Sequence, residues 1–179
     1  MTLSLQVAQL SVEALTAAFF QQSEGNWHSQ RRYYTLKNGE AQEVVSLIEI
    51  EFLPSGSTEL IELAKLHNFD EQTFLKAGSK VSWESNYTGT SRKPSQGSTV
   101  FGILGETLYR DQGFATSQPV TAKLYFPNPK TMCLRTEYDG SVFEEELKLI
   151  GEKYRTRQTI ISRAGQEIMI GQYLEKRID

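Results

Sequence analysis

Two arginines on one predicted strand are the residues whose spacing best suits the binding of an anion. Side chains alternate in direction along a strand, so Arg155, Arg157 and Thr159 share one face of the predicted strand 154–162. Neither face of this strand is apolar, so it does not simply cover a hydrophobic core. Two guanidiniums on one face instead suit a barrel whose interior holds an anion.

A carboxylate lies one hairpin away from these arginines. Glu145 belongs to the predicted strand 142–150, which a turn at Gly151 joins to the arginine strand, and it shares a face with Leu147 and Leu149. The alternative is a solvated sheet edge, on which arginine and glutamate side chains pair across the strands. The pattern of the hairpin alone leaves both arrangements open.

Other kinds of catalytic or metal chemistry have little support in the sequence. It lacks the Gly-x-Ser-x-Gly, phosphate-loop, Gly-x-Gly-x-x-Gly and His-Glu-x-x-His motifs. Two histidines and one cysteine, Cys133, argue against a metal site and exclude an internal disulfide. Arg135 on the same strand face could favour the thiolate of Cys133, but a lone cysteine on a strand is more often a small core residue.

Length and charge limit the remaining classes of function. The 179 residues are expected to form one domain, 1–179, with a core of its own. A net charge of −3 and scattered basic residues argue against nucleic-acid binding. No apolar run approaches the roughly 18 residues of a membrane span, and no signal peptide is apparent. We therefore expect a cytoplasmic protein with no membrane insertion.

The elements that must position the arginines are mostly strands. Ser11 is a candidate N-cap for a helix that ends before Gly25, and two short helical segments are predicted after the second strand, at 58–66 and 70–76. Apolar and polar residues alternate in the remaining segments, and turn residues separate most of them. The predicted strands are 26–36, 44–53, 80–88, 97–104, 106–110, 119–126, 131–139, 142–150, 154–162 and 167–176.

About ten short sequential strands favour an all-β fold, an up-and-down antiparallel barrel with an N-terminal helix. Closure of a barrel removes the unpaired edges that an open meander would expose. A barrel of this size encloses a cavity. A β-sandwich is the competing architecture, which the number of strands does not exclude.

Several segments, taken in order, resemble the S/U-type phycobiliprotein lyases. The resemblance extends from about Phe19 to Arg177. The segments are EGNWHSQRR (24–32), KVSWES (80–85), GSTVFGIL (97–104), LYRDQGFATSQPVTAKLYF (108–126), LRTEYDGSVFEEELKLIGEKYRTRQT (134–159) and YLEKR (173–177). Their order and spacing are more specific than any one of them. The resemblance implies a ten-stranded lipocalin-like barrel with a helix across one mouth.

The resemblance also implies a function. Such lyases bind an open-chain tetrapyrrole, a phycobilin of the phycocyanobilin type, as substrate and attach it by a thioether to a cysteine of an apo-phycobiliprotein subunit. No permanent cofactor is implied. The implied catalytic residues are Glu145, Arg155 and Arg157, and the implied bilin-binding residues are Trp27, Arg31, Trp83, Thr159 and Glu175.

Some positions differ from the family pattern. Where the S-branch has two histidines after Ser-Gln-Arg, this chain has Tyr33-Tyr34-Thr35, and a second tryptophan is replaced by Gly89. These differences make a U-branch chain, a non-catalytic partner subunit of an S-type lyase, the first alternative; a homodimer is also compatible with the sequence. The second alternative is a lipocalin-like carrier of a carboxylate ligand such as a fatty acid.

Overall fold

Ten antiparallel strands and two helices make up the chain. The computed structural model describes the backbone of residues 2–178 and the side chains of residues 12–178. The elements are α1 (Thr2–Ser23), β1 (Gly25–Thr35), β2 (Glu40–Pro54), α2 (Thr58–Leu66), β3 (Ala77–Tyr87), β4 (Ser95–Leu104), β5 (Thr107–Arg110), β6 (Val120–Asn128), β7 (Thr131–Tyr138), β8 (Ser141–Ile150), β9 (Tyr154–Arg163) and β10 (Gln166–Arg177).

The strands close into an up-and-down barrel. Each strand pairs with its neighbours in sequence, and β10 pairs with β1 over a register that runs from Trp27 opposite Arg177 to Thr35 opposite Met169. The predicted ten-stranded barrel is confirmed, and the pairing of β1 with β10 rules out the sandwich. Each predicted strand overlaps an observed one.

The turn residues fix the register of the hairpin of β7 and β8; strand β8 pairs with β9, which carries Arg155 and Arg157. Asp139 and Gly140 join β7 to β8 with φ of 50° and 73°. Two-residue hairpin turns with positive φ at both central residues match the twist of the flanking strands. Strand β8 then alternates between buried and exposed residues, which directs Glu145 inward and Glu144 outward.

Two helix predictions were wrong. Helix α1 begins at Thr2, not at Ser11, because residues 2–10 contain no glycine or proline and continue the helix; the side chain of Ser11 lies outside the described residues. The segment 70–76 is a loop. Its Asp70 carboxylate accepts hydrogen bonds from the Gln72 N–H (2.9 Å) and the Thr73 hydroxyl (2.7 Å), a local pattern that competes with helix.

Helix α2 has the predicted bounds and packs on the outer surface of the barrel. Its Leu60 and Leu63 are buried with Leu53 and Leu75. Gly78 lies within β3. A Cβ there would come within 2.4 Å of both the Leu60 side chain and the carbonyl oxygen of Phe101. Glycine is therefore needed for the close approach of α2 to the sheet.

Helix α1 closes the end of the barrel at which β1 begins. Phe19 and Phe20 are buried in the main core beside Trp27. Neither helix of the described chain has the length and hydropathy needed to cross a bilayer.

Arg177 and Trp27 hold the C-terminal end of α1. The Arg177 guanidinium donates to the carbonyls of Gln22 (2.6 Å), Glu152 (2.9 Å) and Glu24, and lies 4.4 Å from the centre of the Trp27 ring. The Trp27 indole donates to the carbonyl of Ser23 at 2.8 Å. A cation at a helix C-terminus also interacts favourably with the helix dipole.

Substitution of Arg177 by alanine is expected to destabilise the fold. It removes a charged donor from three carbonyls, and charge-assisted hydrogen bonds are each worth about 1.5–3 kcal/mol. We expect Arg177→Ala to lower the free energy of unfolding by at least the value of one such bond, about 1.5–3 kcal/mol. Urea denaturation measures the change. Lys176→Ala, on the outer strand face, is the control. Equal losses in the two variants would contradict the assigned role of Arg177.

Candidate functional site

The barrel encloses a cavity of about 520 Å³. This volume lies within the range of small-molecule sites, roughly 300–1,000 Å³. Its apolar walls come from Phe19 and Phe20 of α1 and from inward-facing residues of the strands. The strand residues among them are Ile48, Ile50, Val81, Trp83, Phe101, Leu108, Met132, Leu134 and Leu147. The charged side chains of the lining are Arg31, Arg110, Glu145, Arg155 and Arg157.

Arg157 and Glu145 form an ion pair at the cavity wall. The Nε and Nη2 atoms of Arg157 donate to one carboxylate oxygen of Glu145 at 2.9 and 2.5 Å. The Glu145 side chain is 3% exposed and that of Arg157 is 22% exposed. Burial by itself would lower the pKa of Arg157, but the charge and hydrogen bond of Glu145, together with Tyr173 and Glu175, outweigh it, so that the pKa is raised above its usual value. Arg157 therefore stays charged.

A second ion pair lies deeper in the barrel. Arg155 donates through Nε to Glu175 at 2.8 Å, and both side chains are almost fully buried. Burial raises the pKa of Glu175, but the guanidiniums of Arg155, Arg157 and Arg31 more than offset this, and the net shift is downward. Glu175 is therefore ionised in a water-poor environment that only its cationic neighbours make tolerable.

Two further guanidiniums at the cavity have no carboxylate partner among the side chains of residues 12–178. Arg31 contacts the Ser29 hydroxyl at 3.4 Å and lies 5.2 Å from the Tyr173 ring. Arg110 is 7% exposed and lies between Phe101 (4.8 Å) and Phe114 (4.7 Å). Its buried Nε has no hydrogen-bond partner within the described region.

The cavity therefore carries an excess of positive charge. Four guanidiniums face two carboxylates, Glu145 and Glu175, which leaves two cations in excess. The Asp111 carboxylate lies outside the lining, where it accepts hydrogen bonds from the Thr99 hydroxyl (2.7 Å) and the Val100 N–H (3.1 Å), and its charge favours the charged form of Arg110. Burial lowers the pKa of Arg110, and Arg157 adds to this while Glu145 opposes it. A bound anion would relieve the cost of keeping Arg110 charged.

Trp83 forms a flat part of the wall. A Cβ on Gly97 of the neighbouring strand β4 would lie 2.7 Å from the indole ring of Trp83. Because Gly97 has no side chain, the indole can lie against β4. An extended conjugated ligand could stack on this surface.

A loop at the open end covers part of the cavity. Loop 111–119 connects β5 to β6, and its Phe114 stacks on Phe143 at 4.7 Å, which in turn stacks on Tyr138 at 5.0 Å. The Tyr138 hydroxyl accepts a hydrogen bond from the Ala115 N–H at 2.7 Å. Phe114 remains 36% exposed, so the loop forms the solvent-facing rim, the mouth of the cavity.

The structure brings most of the predicted site residues together. Those that line the cavity are Arg31, Trp83, Glu145, Arg155 and Arg157. Trp27, Thr159 and Glu175 are buried but are not part of the lining. Trp27 lies between the guanidiniums of Arg155 (5.3 Å) and Arg177, so its observed contacts are with the protein core. Glu175 would act on a ligand through Arg155, its hydrogen-bonded partner, and through its charge on Arg157 and Arg31.

Sequence reasoning missed Arg110, Tyr33 and Tyr173 as site residues. Arg110 ends a strand of four residues, too short for a period-2 pattern to show which face points inward. Tyr33 shares a strand face with Trp27 and Arg31, a signal that was available. Tyr173 is paired opposite Arg31 and Arg157, and no local pattern reveals that register.

Cys133 lies away from the cavity. It is buried beside Tyr125 on the outward side of β7, and burial raises the pKa of its thiol, which disfavours the thiolate. Arg135, which could have favoured the thiolate, pairs with Glu137 (2.7 Å) and Glu144 (2.6 Å) instead. The core-residue interpretation therefore fits better.

Comparisons with known proteins agree with this architecture. Residues 16–178 match the family model described as CpeS-like protein. A protein of Nostoc sp. named "Putative phycocyanobilin lyase CpcS 2" is 63% identical over 93% of this chain and 92% of its own length. One of Picosynechococcus sp. named "Putative chromophore lyase CpcV" is 52% identical over 91% of this chain and 81% of its own.

A solved structure shares the fold. The S-type phycobiliprotein lyase CpeS of Guillardia theta superimposes with a TM-score of 0.76, at 24% identity, over 90% of this chain and 92% of that one.

The buried pair of Arg155 and Glu175 leads to a pH-dependent prediction. Glu175→Gln leaves Arg155 without a counter-charge and is expected to lower the free energy of unfolding at pH 7 by about 3–5 kcal/mol. Because the pKa of Glu175 is lowered in the folded state, its contribution is present above the ordinary carboxyl pKa and is lost as the pH falls below it.

Urea denaturation between pH 7 and pH 3 checks this expectation. The difference in free energy of unfolding between wild type and Glu175→Gln should become smaller as the pH falls below about 4. Glu144→Gln, on the exposed outer face of the adjacent strand, should differ little from wild type at any pH. A difference for Glu175→Gln that is independent of pH would mean that Glu175 is not the ionised partner of Arg155.

Proposed function

The chain belongs to the CpeS-like protein family, and we propose that it is a phycobilin lyase. In this proposal it binds an open-chain tetrapyrrole of the phycocyanobilin type as substrate. It then attaches the tetrapyrrole by a thioether to a cysteine of an apo-phycobiliprotein subunit in the cytoplasm. The names of the Nostoc and Picosynechococcus relatives support a lyase that acts on such a chromophore.

The observation that carries the proposal is the pair of uncompensated guanidiniums in an otherwise apolar cavity. A bilin has two propionates, and the cavity has two cations in excess. Arg31 and Arg110 are the two without a carboxylate partner among the described side chains, and an arginine can bind a carboxylate through two parallel hydrogen bonds. The charge of the cavity thus suits a dicarboxylate.

The walls suit the rest of the ligand. The indole of Trp83, with Val81 and Phe101, offers a surface for a flat conjugated system. Glu145 lies at the same cavity and could accept hydrogen bonds from pyrrole N–H groups. A carboxylate in that position would stabilise the protonated tetrapyrrole, which is more electrophilic than the neutral form. Arg157, its hydrogen-bonded neighbour, fixes Glu145 in position.

The proposed reaction requires the protein to hold, activate and orient the bilin. The nucleophile is the client's thiol, which would reach the bilin through the mouth at loop 111–119. Fixing the bilin beside that thiol makes the addition effectively unimolecular, the principal advantage that proximity gives. A catalytic cysteine in this chain is then unnecessary.

Three alternatives predict different outcomes in the same assay. The assay incubates the protein with bilin and an apo-phycobiliprotein subunit, and covalent product is detected by fluorescence in a denaturing gel. A non-catalytic partner subunit would yield product only when an S-type lyase chain is added, and would co-purify with that chain. A homodimer would be active alone and would elute at twice the monomer mass. A carboxylate carrier would yield no product in either case.

Arg110 is the residue whose removal should weaken bilin binding without disturbing an internal ion pair. Arg110→Met should lower bilin affinity about tenfold to a hundredfold, because one shielded charge-assisted hydrogen bond is worth about 1.5–3 kcal/mol. Thermal stability should be kept or raised, since the substitution removes a buried cation with no carboxylate partner.

Titration followed by visible absorbance and tryptophan fluorescence measures the affinity. Arg135→Met, on the outer face of β7, should bind bilin as the wild type does. A parallel titration with a fatty acid tests the carrier alternative. Unchanged bilin affinity in Arg110→Met would remove Arg110 from the propionate site.

Cys133→Ser should leave both bilin binding and transfer intact. The thiol of Cys133 lies outside the cavity beside Tyr125, and burial raises its pKa. The gel assay measures transfer for wild type and variant side by side. A variant that binds bilin but transfers none would require a covalent relay through Cys133 and would contradict the proposed mechanism.

A further inference from the structure

Two tyrosines face each other across the paired strands β1 and β10 at the cavity wall. Tyr33 and Tyr173 both line the cavity, and their rings meet edge to face with centres 5.8 Å apart and an interplanar angle of 85°. The Tyr173 hydroxyl donates to the Tyr33 hydroxyl oxygen at 3.3 Å. Tyr173 is 7% exposed, so the contact is shielded from bulk water.

The surrounding residues fix this pair in place. A Cβ on Gly171 would lie 3.0 Å from the Tyr173 ring and 3.2 Å from that of Tyr33, so only glycine leaves full room for both rings. The guanidiniums of Arg31 and Arg157 lie 5.2 and 5.0 Å from the centre of the Tyr173 ring. Cation–π contacts of this kind restrain the ring in a desolvated site.

Tyr173 is held as a neutral donor. Burial raises its pKa, and although the positive charge of Arg157 opposes this, the net shift is upward. Its hydroxyl proton is directed at the Tyr33 oxygen. The proton of Tyr33 itself must then point elsewhere, and Tyr33 has no acceptor among the described residues. Because Tyr33 lines the cavity, its O–H is available to a bound ligand.

We propose that Tyr33 is the proton donor to the bound tetrapyrrole when the client thiol adds to it, and that Tyr173 positions Tyr33 for this step. The inference rests on the proposed lyase function. It assigns a catalytic role to Tyr33 and a positioning role to Tyr173. Arg157, which contacts both Glu145 and the Tyr173 ring, joins the pair to the carboxylate at the cavity wall.

The step is an addition of S–H across a carbon–carbon double bond. The client sulfur forms a bond to the exocyclic carbon, and the electron pair of the double bond moves to the adjacent ring carbon. That carbon takes the Tyr33 proton. The Tyr33 phenolate that results is stabilised by the hydrogen bond from Tyr173. It is then reprotonated, and the proton released by the thiol balances this step. No electrons are gained or lost overall, so no oxidant or reductant is required.

Phenylalanine substitutions separate this role from simple binding. In Tyr33→Phe the ring stays and the proton is lost, so we expect bilin affinity within about threefold of wild type and a transfer rate at least about tenfold lower. Tyr173→Phe should slow transfer less, because Tyr33 keeps its proton but loses its partner. Tyr34→Phe is the control, since Tyr34 lies on the opposite face of β1.

A solvent isotope effect gives a readout that a structural role would not move. Single-turnover transfer from the preformed protein–bilin complex is measured in H₂O and D₂O, with an S-type lyase chain present if the wild type requires one. We expect an isotope effect of about two or more for wild type, in the range of a rate-limiting proton transfer, and a changed value in Tyr33→Phe.

Three outcomes would overturn the inference. If Tyr33→Phe transfers at the wild-type rate, Tyr33 is not the donor. If bilin affinity falls in proportion to the transfer rate, Tyr33 only binds the ligand. If the wild type yields no product even with a partner chain, the lyase function fails and this inference fails with it. The first two results leave the lyase function intact, so the two failures are distinguishable.

Discussion

The structure depends on the pairing of β1 with β10, because that pairing turns a row of charged side chains into an enclosed site. In an open sheet, the face of β9 that carries the two arginines would be exposed to solvent, and their desolvation would cost little free energy. In the closed barrel the same residues, Arg155 and Arg157, lose most of their water. Each then requires a partner, which Glu175 and Glu145 supply.

The two ion pairs differ in depth, and this separates their roles. The pair of Arg155 and Glu175 is almost fully buried and adjoins Trp27, which also holds the end of α1. The pair of Arg157 and Glu145 lies at the cavity, where Arg157 keeps 22% of its side chain exposed. The deeper pair thus supports the cavity floor, while the shallower pair can exchange a protein contact for a ligand contact at a smaller cost in desolvation.

Much of the fold could be predicted from the sequence, because strand alternation and turn residues are local signals. Period 2 places Arg155 and Arg157 on one face of their strand and Glu145 on the same face as Leu147 and Leu149. That these faces point into the barrel follows only from its closure. Which glutamate pairs with which arginine could not be predicted, since it depends on the register between β8, β9 and β10. The loop at 70–76 was mistaken for helix because an Asp70 side chain that caps a turn resembles one that begins a helix.

Arg110 shows why part of the site is visible only in three dimensions. Its strand is four residues long. Its guanidinium is surrounded by Phe101 of β4 and Phe114 of loop 111–119, and no periodic sequence pattern relates these residues to Arg110. The two rings shield a cation without offering it a hydrogen-bond acceptor. An unpartnered buried charge at a cavity costs stability in the free protein. In the proposed lyase, binding of an anionic ligand would recover that cost, so a residue that destabilises the empty barrel would stabilise the occupied one.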